Sequence, residues 1–135
     1  MKLGLTLSAL AVAACTAPVH SPIPPRIAGI EGQWQVVELK RQAMPPGPEF
    51  RMRFVSGRMS ARFGCNYMGA AYRQAGGVLH AGRLDSTRMA CTGPGAAIER
   101  DAALILAQPM SMSWTSPDTL ELSNRAGGIK LSRVR

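Results

Sequence analysis

Cysteine and histidine are the residues of this chain with the most specific chemistry, and its 135 residues include three of the first and two of the second. They are Cys15, Cys65, Cys91, His20 and His80. Nucleophilic catalysis requires a thiol or hydroxyl group beside a base, and zinc sites use short, regular ligand spacings. His80 lies 15 positions after Cys65 and 11 before Cys91, which matches no zinc finger or ribbon. We therefore expect no catalytic residue, no metal site and no cofactor.

The first cysteine follows a pattern typical of bacterial export. Lys2 precedes an apolar run over residues 3–14, and small residues lead directly into Cys15. The run is shorter than the roughly 20 residues that a transmembrane helix needs, and this order is that of a secretory signal. We predict a lipoprotein signal peptide over residues 1–14 and acylation of Cys15, which attaches the chain to a membrane. An ordinary signal peptide with an incidental cysteine is the alternative.

Residues 15–28 are predicted to form a lipidated, proline-rich tether ahead of a folded domain over residues 29–135. The prolines of "TAPVHSPIPPR" favour extended polyproline II structure. Thr16, rather than an aspartate, follows Cys15, and in lipoproteins of this kind that favours the outer membrane over the inner one. We expect an outer-membrane lipoprotein of the cell envelope that faces the periplasm.

The charge of the chain favours anionic partners. Lys and Arg together number 16, Asp and Glu number 8, and the formal net charge is +8. Such a balance suits nucleic acid, anionic lipid or an acidic protein surface. Because an exported protein rarely meets nucleic acid, we expect no nucleic-acid partner. The expected state is a monomer that meets an anionic envelope lipid or an acidic envelope protein.

The segment "FRMRFVSGRMSARF", residues 50–63, predicts a two-stranded hairpin. Apolar and polar residues alternate on both sides of Ser56 and Gly57, which suit a two-residue turn. In this register Arg51 stands directly across from Arg62. The face that they share carries Arg51, Arg53, Arg58 and Arg62.

These four arginines, called the arginine face below, form the candidate anion-binding surface. Like charges directly opposite each other on neighbouring strands are destabilising, so a bound anion relieves the repulsion between Arg51 and Arg62. Guanidinium groups also match the geometry of phosphate and carboxylate. The alternative is a solvated strand edge whose arginines deter aggregation.

Four methionines fall by alternation on the same strand faces as Phe54 and Trp114. They are Met52, Met59, Met110 and Met112. Such a surface either lines an apolar cavity for an acyl chain or a client peptide, or fills the core, as methionine commonly does.

Short strands surround a single helix in the rest of the sequence. We predict a first strand over residues 33–39, a second hairpin around Gly76 and Gly77, and a helix over residues 94–108 that begins at a proline. Closing strands follow residue 109. This order argues for an α+β fold with a small, strongly curved antiparallel sheet.

If Cys15 carries lipid, Cys65 and Cys91 remain as an even pair. In an oxidising compartment, a disulfide between them is the default expectation. Gly64, beside the first of the two, allows the chain to turn sharply there.

The motifs around these two cysteines resemble the META domain, the family of HslJ-type heat-shock lipoproteins. The motifs "GCNYMGAAY" and "LDSTRMAC" occur in the order and at a separation compatible with the family, and the similarity extends over residues 30–134. The resemblance implies a partly open antiparallel barrel with one helix, and a bond between Cys65 and Cys91. The other residues that match the family motifs are Gly64, Asn66, Gly69, Thr87, Arg88 and Met89.

The same resemblance implies a function in the cell envelope. Members of the family are implicated in envelope stress and drug tolerance, and the family has no established catalytic activity. We therefore expect a non-enzymatic, lipid-anchored envelope protein that acts through binding. The alternative is a pilot-like lipoprotein chaperone for an outer-membrane secretion component, because pilot lipoproteins have a similar fold.

Overall fold

A computed structural model describes residues 29–135 of the chain. The predicted signal peptide over residues 1–14 and the tether over residues 15–28, with Cys15, lie outside the described residues. The strands and the helix of the described part are β1 Gly32–Leu39, β2 Gln42–Ala43, β3 Phe50–Val55, β4 Arg58–Phe63, β5 Tyr67–Ala75, β6 Val78–Ala81, β7 Asp85–Ser86, α1 Pro94–Leu106, β8 Met110–Ser116, β9 Thr119–Asn124 and β10 Gly127–Arg133. None of the helical structure in this part is long and apolar enough to cross a membrane.

Eight of the strands form a closed antiparallel barrel. Around the ring the order is β1, β3, β4, β5, β6, β8, β9 and β10, and β10 pairs back with β1. The short strands β2 and β7 attach to β1 and β5. The α+β fold with a curved antiparallel sheet and one helix is therefore confirmed, whereas the ring that we expected to be partly open is closed.

The first and last strands close the barrel through an extended pairing. β1 has eight residues and β10 has seven, and they pair from Trp34↔Arg133 to Leu39↔Ile129. By contrast, β6 and β8 pair through two residues each, Val78–Leu79 and Met110–Ser111. The two terminal strands, far apart in the sequence, therefore complete the ring more extensively than these two inner neighbours do.

The β3–β4 hairpin has the register that the sequence predicts. Phe50 pairs with Phe63, and Arg51 pairs with Arg62. The second predicted hairpin also forms, between β5 and β6. In β3 and β4 the buried apolar side chains are those of Met52, Phe54, Met59, Ala61 and Phe63, and the arginines alternate with them on the outer face.

The barrel interior is filled by apolar side chains. Met52, Met59 and Met110 are at most 2 % exposed and belong to this core. Trp34 is fully buried, and its indole nitrogen donates to the Ile30 carbonyl at 2.8 Å. The packing thus supports core filling by methionine rather than an apolar cavity for an acyl chain or peptide. Since the described residues enclose a core of their own, this part of the chain is able to fold by itself.

The helix α1 packs against the barrel through Ala102, Ile105 and Leu106, which are fully buried. Pro94 lies in its first turn, as predicted. The helix ends two residues before the predicted end at 108. Pro109 explains the difference, because a proline disfavours the helical conformation in the residue before it.

Candidate functional site

The first group of candidate residues surrounds the disulfide. Cys65 and Cys91 are bonded, with a separation of 26 positions and 6.0 Å between their Cα atoms, which confirms the predicted pair. Cys65 lies between β4 and β5, and Cys91 lies in the loop before α1. The bond therefore holds the segment that leads into the helix against the β4–β5 junction.

Asn66 is the buried polar residue of the described chain, with 6 % of its surface exposed. Its Nδ2 donates to Glu99 Oε1 at 2.8 Å and to the Met89 carbonyl at 3.3 Å. Its Oδ1 accepts from the Met89 amide at 2.8 Å and from Thr87 Oγ1 at 2.9 Å. A buried amide with all these bonds fixes the loops on both sides of the disulfide.

Glu99 completes this group, although the family motifs do not include it. Its second oxygen, Oε2, accepts from the backbone amide of Asn66 at 2.9 Å. Hydrogen bonds to a charged acceptor are stronger than neutral ones, so Glu99 clamps the helix onto Asn66. A signal was present in the sequence, because Glu99, Ala102 and Leu106 follow the i, i+3, i+7 spacing of one helix face. We call Asn66, Thr87, Met89, Glu99 and the disulfide the motif cluster.

The remaining motif residues have other roles. Gly64 has a φ of 108°, a conformation that residues with a Cβ rarely adopt, and its amide donates to the Glu49 carbonyl at 2.7 Å. Gly69 lies within β5. Arg88 is exposed and has no hydrogen bond or ion pair within the described part of the chain. Its side chain therefore stands outside the motif cluster.

His80, the histidine within residues 29–135, lies on β6, whereas Cys65 and Cys91 lie in loops. His80 is opposite Arg73 on the β5–β6 hairpin. Among residues 29–135, no three His, Cys, Asp or Glu side chains gather into a metal-binding group. The hydrogen bonds of the motif cluster are positioned to hold two loops and the helix together.

The second group of candidate residues is the arginine face, on the outside of β3 and β4. Arg53 and Arg58 are exposed, whereas Arg51 and Arg62 are partly buried. The ion pairs between described residues use other cations, namely Lys40, Lys130, Arg133 and Arg135. No carboxylate of the described part therefore neutralises the arginine face.

The position of β3 and β4 bears on the alternative explanation of these arginines. β3 lies between β1 and β4, and β4 lies between β3 and β5, so neither strand is an edge of the sheet. Arginines that deter pairing between exposed edges are needed only at such edges. The alternative of a protected strand edge is therefore wrong for this face.

Arg62 leans towards β5. Its Nε donates to the Gly64 carbonyl at 3.1 Å, and its Nη1 donates to Tyr67 Oη at 3.4 Å. Its guanidinium carbon lies 5.0 Å from the centre of the Tyr67 ring, within the range of cation–π attraction. Tyr67 is 54 % exposed. Tyr67 was not among the residues predicted for the site, although it lies across from Arg62 on the next strand.

A groove of about 220 Å³ is lined by both opposed arginines, Arg51 and Arg62. Pro48, Arg53 and Tyr67 also line it. The Nε atom of Arg51 is buried and has no hydrogen-bond partner. An N–H group buried without an acceptor costs about 1–3 kcal/mol. This atom is enclosed by protein, so a bound acceptor meets the outer guanidinium nitrogens of Arg51, which form no hydrogen bond within the described residues.

Two groups with shifted pKa values lie outside both candidate groups. Burial, together with the hydrogen bond that its hydroxyl donates to Glu31, raises the pKa of Tyr72 to about 12. The guanidinium of Arg135, bonded to Asp118, lowers the pKa of that carboxyl below its usual value. Both shifts have a local cause in neighbours that tie the fold together, so they add no residue to the candidate site.

Comparison with known proteins identifies relatives by family and by fold. The family model of the META domain matches residues 27–134. No curated protein matches the sequence at a significant level. Two similar structures were determined by NMR. The first has a TM-score of 0.65 at 17 % sequence identity, and the matched region covers 76 % of this chain and 88 % of the other protein's chain. The second, a protein from Burkholderia xenovorans, has a TM-score of 0.60 at 20 % sequence identity, and the matched region covers 92 % of this chain and 99 % of the other. At these identities the likeness concerns the fold alone.

Proposed function

This chain belongs to the META domain family, and we propose that it works in the cell envelope as a lipid-anchored, non-enzymatic binding module. The N-terminal sequence supports the anchor, because its apolar run leads through small residues to Cys15. The disulfide between Cys65 and Cys91 supports an oxidising compartment, where such bonds form and persist. The proposed location is the periplasmic side of the outer membrane, and the proposed process is envelope stress or drug tolerance.

The arginine face is the proposed contact surface, and its partner is the anionic headgroup layer of an envelope lipid. The observation that carries this is the direct opposition of Arg51 and Arg62 on a face whose arginines have no carboxylate partner in the described residues. Like charges placed in this way repel each other, and an anionic surface offsets the repulsion. A lipid on Cys15 keeps the domain near a membrane, which favours lipid over an acidic protein as the partner.

Cys15→Ser is expected to abolish attachment of lipid to the protein. The unchanged chain should incorporate radiolabelled palmitate in cells and sediment with membranes, because several buried acyl CH₂ groups at about 0.8 kcal/mol each make a stable anchor. The variant should remain unlabelled. Its Cys65–Cys91 bond should persist, which gel migration with and without reductant checks. Labelled Cys15→Ser protein would contradict the anchor.

Reversing the two exposed charges, Arg53→Glu with Arg58→Glu, is expected to weaken binding to anionic vesicles by at least about tenfold, because each charge near such a surface contributes about 1 kcal/mol. Binding is measured by cosedimentation at low salt with phosphatidylcholine vesicles that do or do not contain phosphatidylglycerol. The protein is the chain from residue 15 onward with Cys15→Ser, so that an acyl anchor does not dominate. Added salt should weaken the binding.

Arg100→Glu with Arg125→Glu is the matched control for this experiment. Both residues are exposed, and the change in net charge is the same. This control should retain most of the binding, because the contact depends on where the charge lies. Equal losses in the two double variants would refute a specific contact through the arginine face. If the domain binds an acidic polypeptide but not anionic vesicles, its partner is an acidic protein rather than a lipid.

A further inference from the structure

We propose that the groove on the arginine face binds a single phosphate group. This inference rests on the proposed function, because it concerns the same face, and it goes further by naming the chemical group and the residues that hold it. The groove measures about 220 Å³, which is below the roughly 300–1,000 Å³ of pockets that enclose larger small molecules. Its size suits a headgroup rather than a whole lipid or a nucleotide.

The first reason is that the guanidinium group of Arg51 has no hydrogen-bond partner within residues 29–135. Its Nε is buried without a hydrogen-bond partner. Gln35, across from it on β1, does not supply one, because its side-chain amide bonds to the backbone of Phe50 and Gly47. Buried polar groups in folded proteins are nearly always paired. An oxyanion in the groove does not reach this enclosed atom. It accepts instead from the outer guanidinium nitrogens of Arg51, which are not buried and form no hydrogen bond within the described part of the chain.

The second reason is the fixed orientation of Arg62. The Gly64 carbonyl and the Tyr67 side chain engage Nε and Nη1, and Nη2 has no hydrogen bond within the part of the chain that the structure describes. A side chain held in this way loses little freedom when it binds a ligand. The Cα atoms of opposed residues in antiparallel strands lie about 5 Å apart, so Arg51 and Arg62 offer donors to the same groove.

A phosphate group matches this arrangement better than a carboxylate does. A phosphomonoester carries about −1.5 to −2 charges at pH 7 and three strong acceptor oxygens. It therefore accepts from separate arginines at once, whereas a planar carboxylate is matched by a single guanidinium fork. Arg53, which also lines the groove, adds a third positive charge. Glu49, before β3, and Asp85, on β7, form no ion pair with these arginines.

Arg51→Lys tests the phosphate site separately from the proposed function. Lysine keeps the positive charge but lacks the planar fork of outer donors. We expect this variant to bind inorganic phosphate about tenfold more weakly. Phosphate is titrated into the chain from residue 15 onward with Cys15→Ser, and the amide NMR signals of Arg51, Arg62 and Tyr67 are followed.

Arg58→Lys is the matched control, because Arg58 lies on the same face but does not line the groove. Saturable shifts that weaken in Arg51→Lys and persist in Arg58→Lys support the site. Shifts that do not saturate, or that weaken equally in both variants, overturn it. The two proposals are tested by different experiments. Vesicle binding by the unchanged chain tests the proposed function, and the phosphate titration tests the phosphate site whatever the vesicle result is.

The source of the phosphate is distinguished with vesicles that contain phosphatidic acid, a phosphomonoester lipid. Stronger binding than to phosphatidylglycerol vesicles of equal surface charge, reduced by Arg51→Lys, indicates a lipid headgroup. Equal binding to both vesicles, with saturable binding of inorganic phosphate, indicates a free phosphate compound. Both results support phosphate as the chemical group.

Discussion

Replacement of both Cys65 and Cys91 by alanine is expected to lower the free energy of unfolding by about 3.5 kcal/mol. The disulfide joins residues 26 positions apart. Without it, the conformational entropy of the unfolded chain rises, because the loop between the two residues is no longer closed. For a domain of this size, the melting temperature should fall by roughly 15 °C. The measurement is thermal and denaturant unfolding of the chain from residue 15 onward with Cys15→Ser.

Reductant provides an independent check on the same bond. Added to the protein with both cysteines, it should reproduce the loss of stability, because the unfolded chain is then equally free. Added to the double alanine variant, it should have no effect. A loss below about 1 kcal/mol would contradict the chain-entropy argument. The hydrogen bonds around Asn66 would then hold the two loops together largely without the covalent bond.

The arginine face was predictable from the sequence because the pattern that forms it is local. Alternation decides which side chains share a face, and a shift of one residue would turn every side chain to the opposite face. The turn at Ser56 and Gly57 sets the register. The opposition of Arg51 and Arg62 therefore follows from residues 50–63 alone, and the structure has that pairing.

Closure of the barrel was not predictable in this way. β1 and β10 lie at opposite ends of the domain, and each alternates as a strand would in an open or a closed sheet. Their pairing depends on how far the whole sheet curves. The explanation of the arginines as protection of a sheet edge fails for a different reason, because β3 and β4 each have a paired strand on both sides, whether or not the ring is closed.

The motif cluster was predictable in part. The family resemblance marked Asn66 and the two cysteines, but the carboxylate that binds Asn66 is 33 positions away, on α1. Helical spacing places Glu99 on the buried face of that helix. Which polar group it meets there depends on how the helix docks against the barrel, and no local pattern specifies that docking.

Asn66→Asp is expected to destabilise the domain by about 3 kcal/mol or more at neutral pH, which is the usual cost of leaving a buried charge uncompensated. The substitution keeps the shape of the side chain but replaces its donor by an oxygen. That oxygen faces Glu99 Oε1, which lies 2.8 Å from Nδ2 in the unchanged protein. It also faces the Met89 carbonyl. Two carboxylates then share one buried site.

The loss caused by Asn66→Asp should shrink at acid pH. Two like charges at one site raise the pKa of the pair above the values near 4 of the unfolded chain. Between the unfolded and folded pKa values, the folded variant therefore binds more protons than the unfolded chain does. Its stability falls as the pH rises through that window and recovers as the pH approaches about 4. Urea unfolding of the variant and the unchanged protein at acid and neutral pH measures this difference.

Adding Glu99→Gln to Asn66→Asp decides whether the two residues interact directly. Alone, Glu99→Gln should destabilise the domain, because an amide N–H replaces an oxygen that accepts from Asn66. In the Asn66→Asp background it should stabilise the domain by about 1 kcal/mol or more, because it restores a donor–acceptor pair and removes one of two negative charges. If Glu99→Gln acted only through lost packing, it would destabilise both the unchanged protein and the Asn66→Asp variant. Effects of opposite sign on the free energy of unfolding therefore identify the Asn66–Glu99 contact itself. Additive losses would show that Glu99 does not clamp Asn66, and the disulfide would then be the main link between the helix segment and the β4–β5 junction.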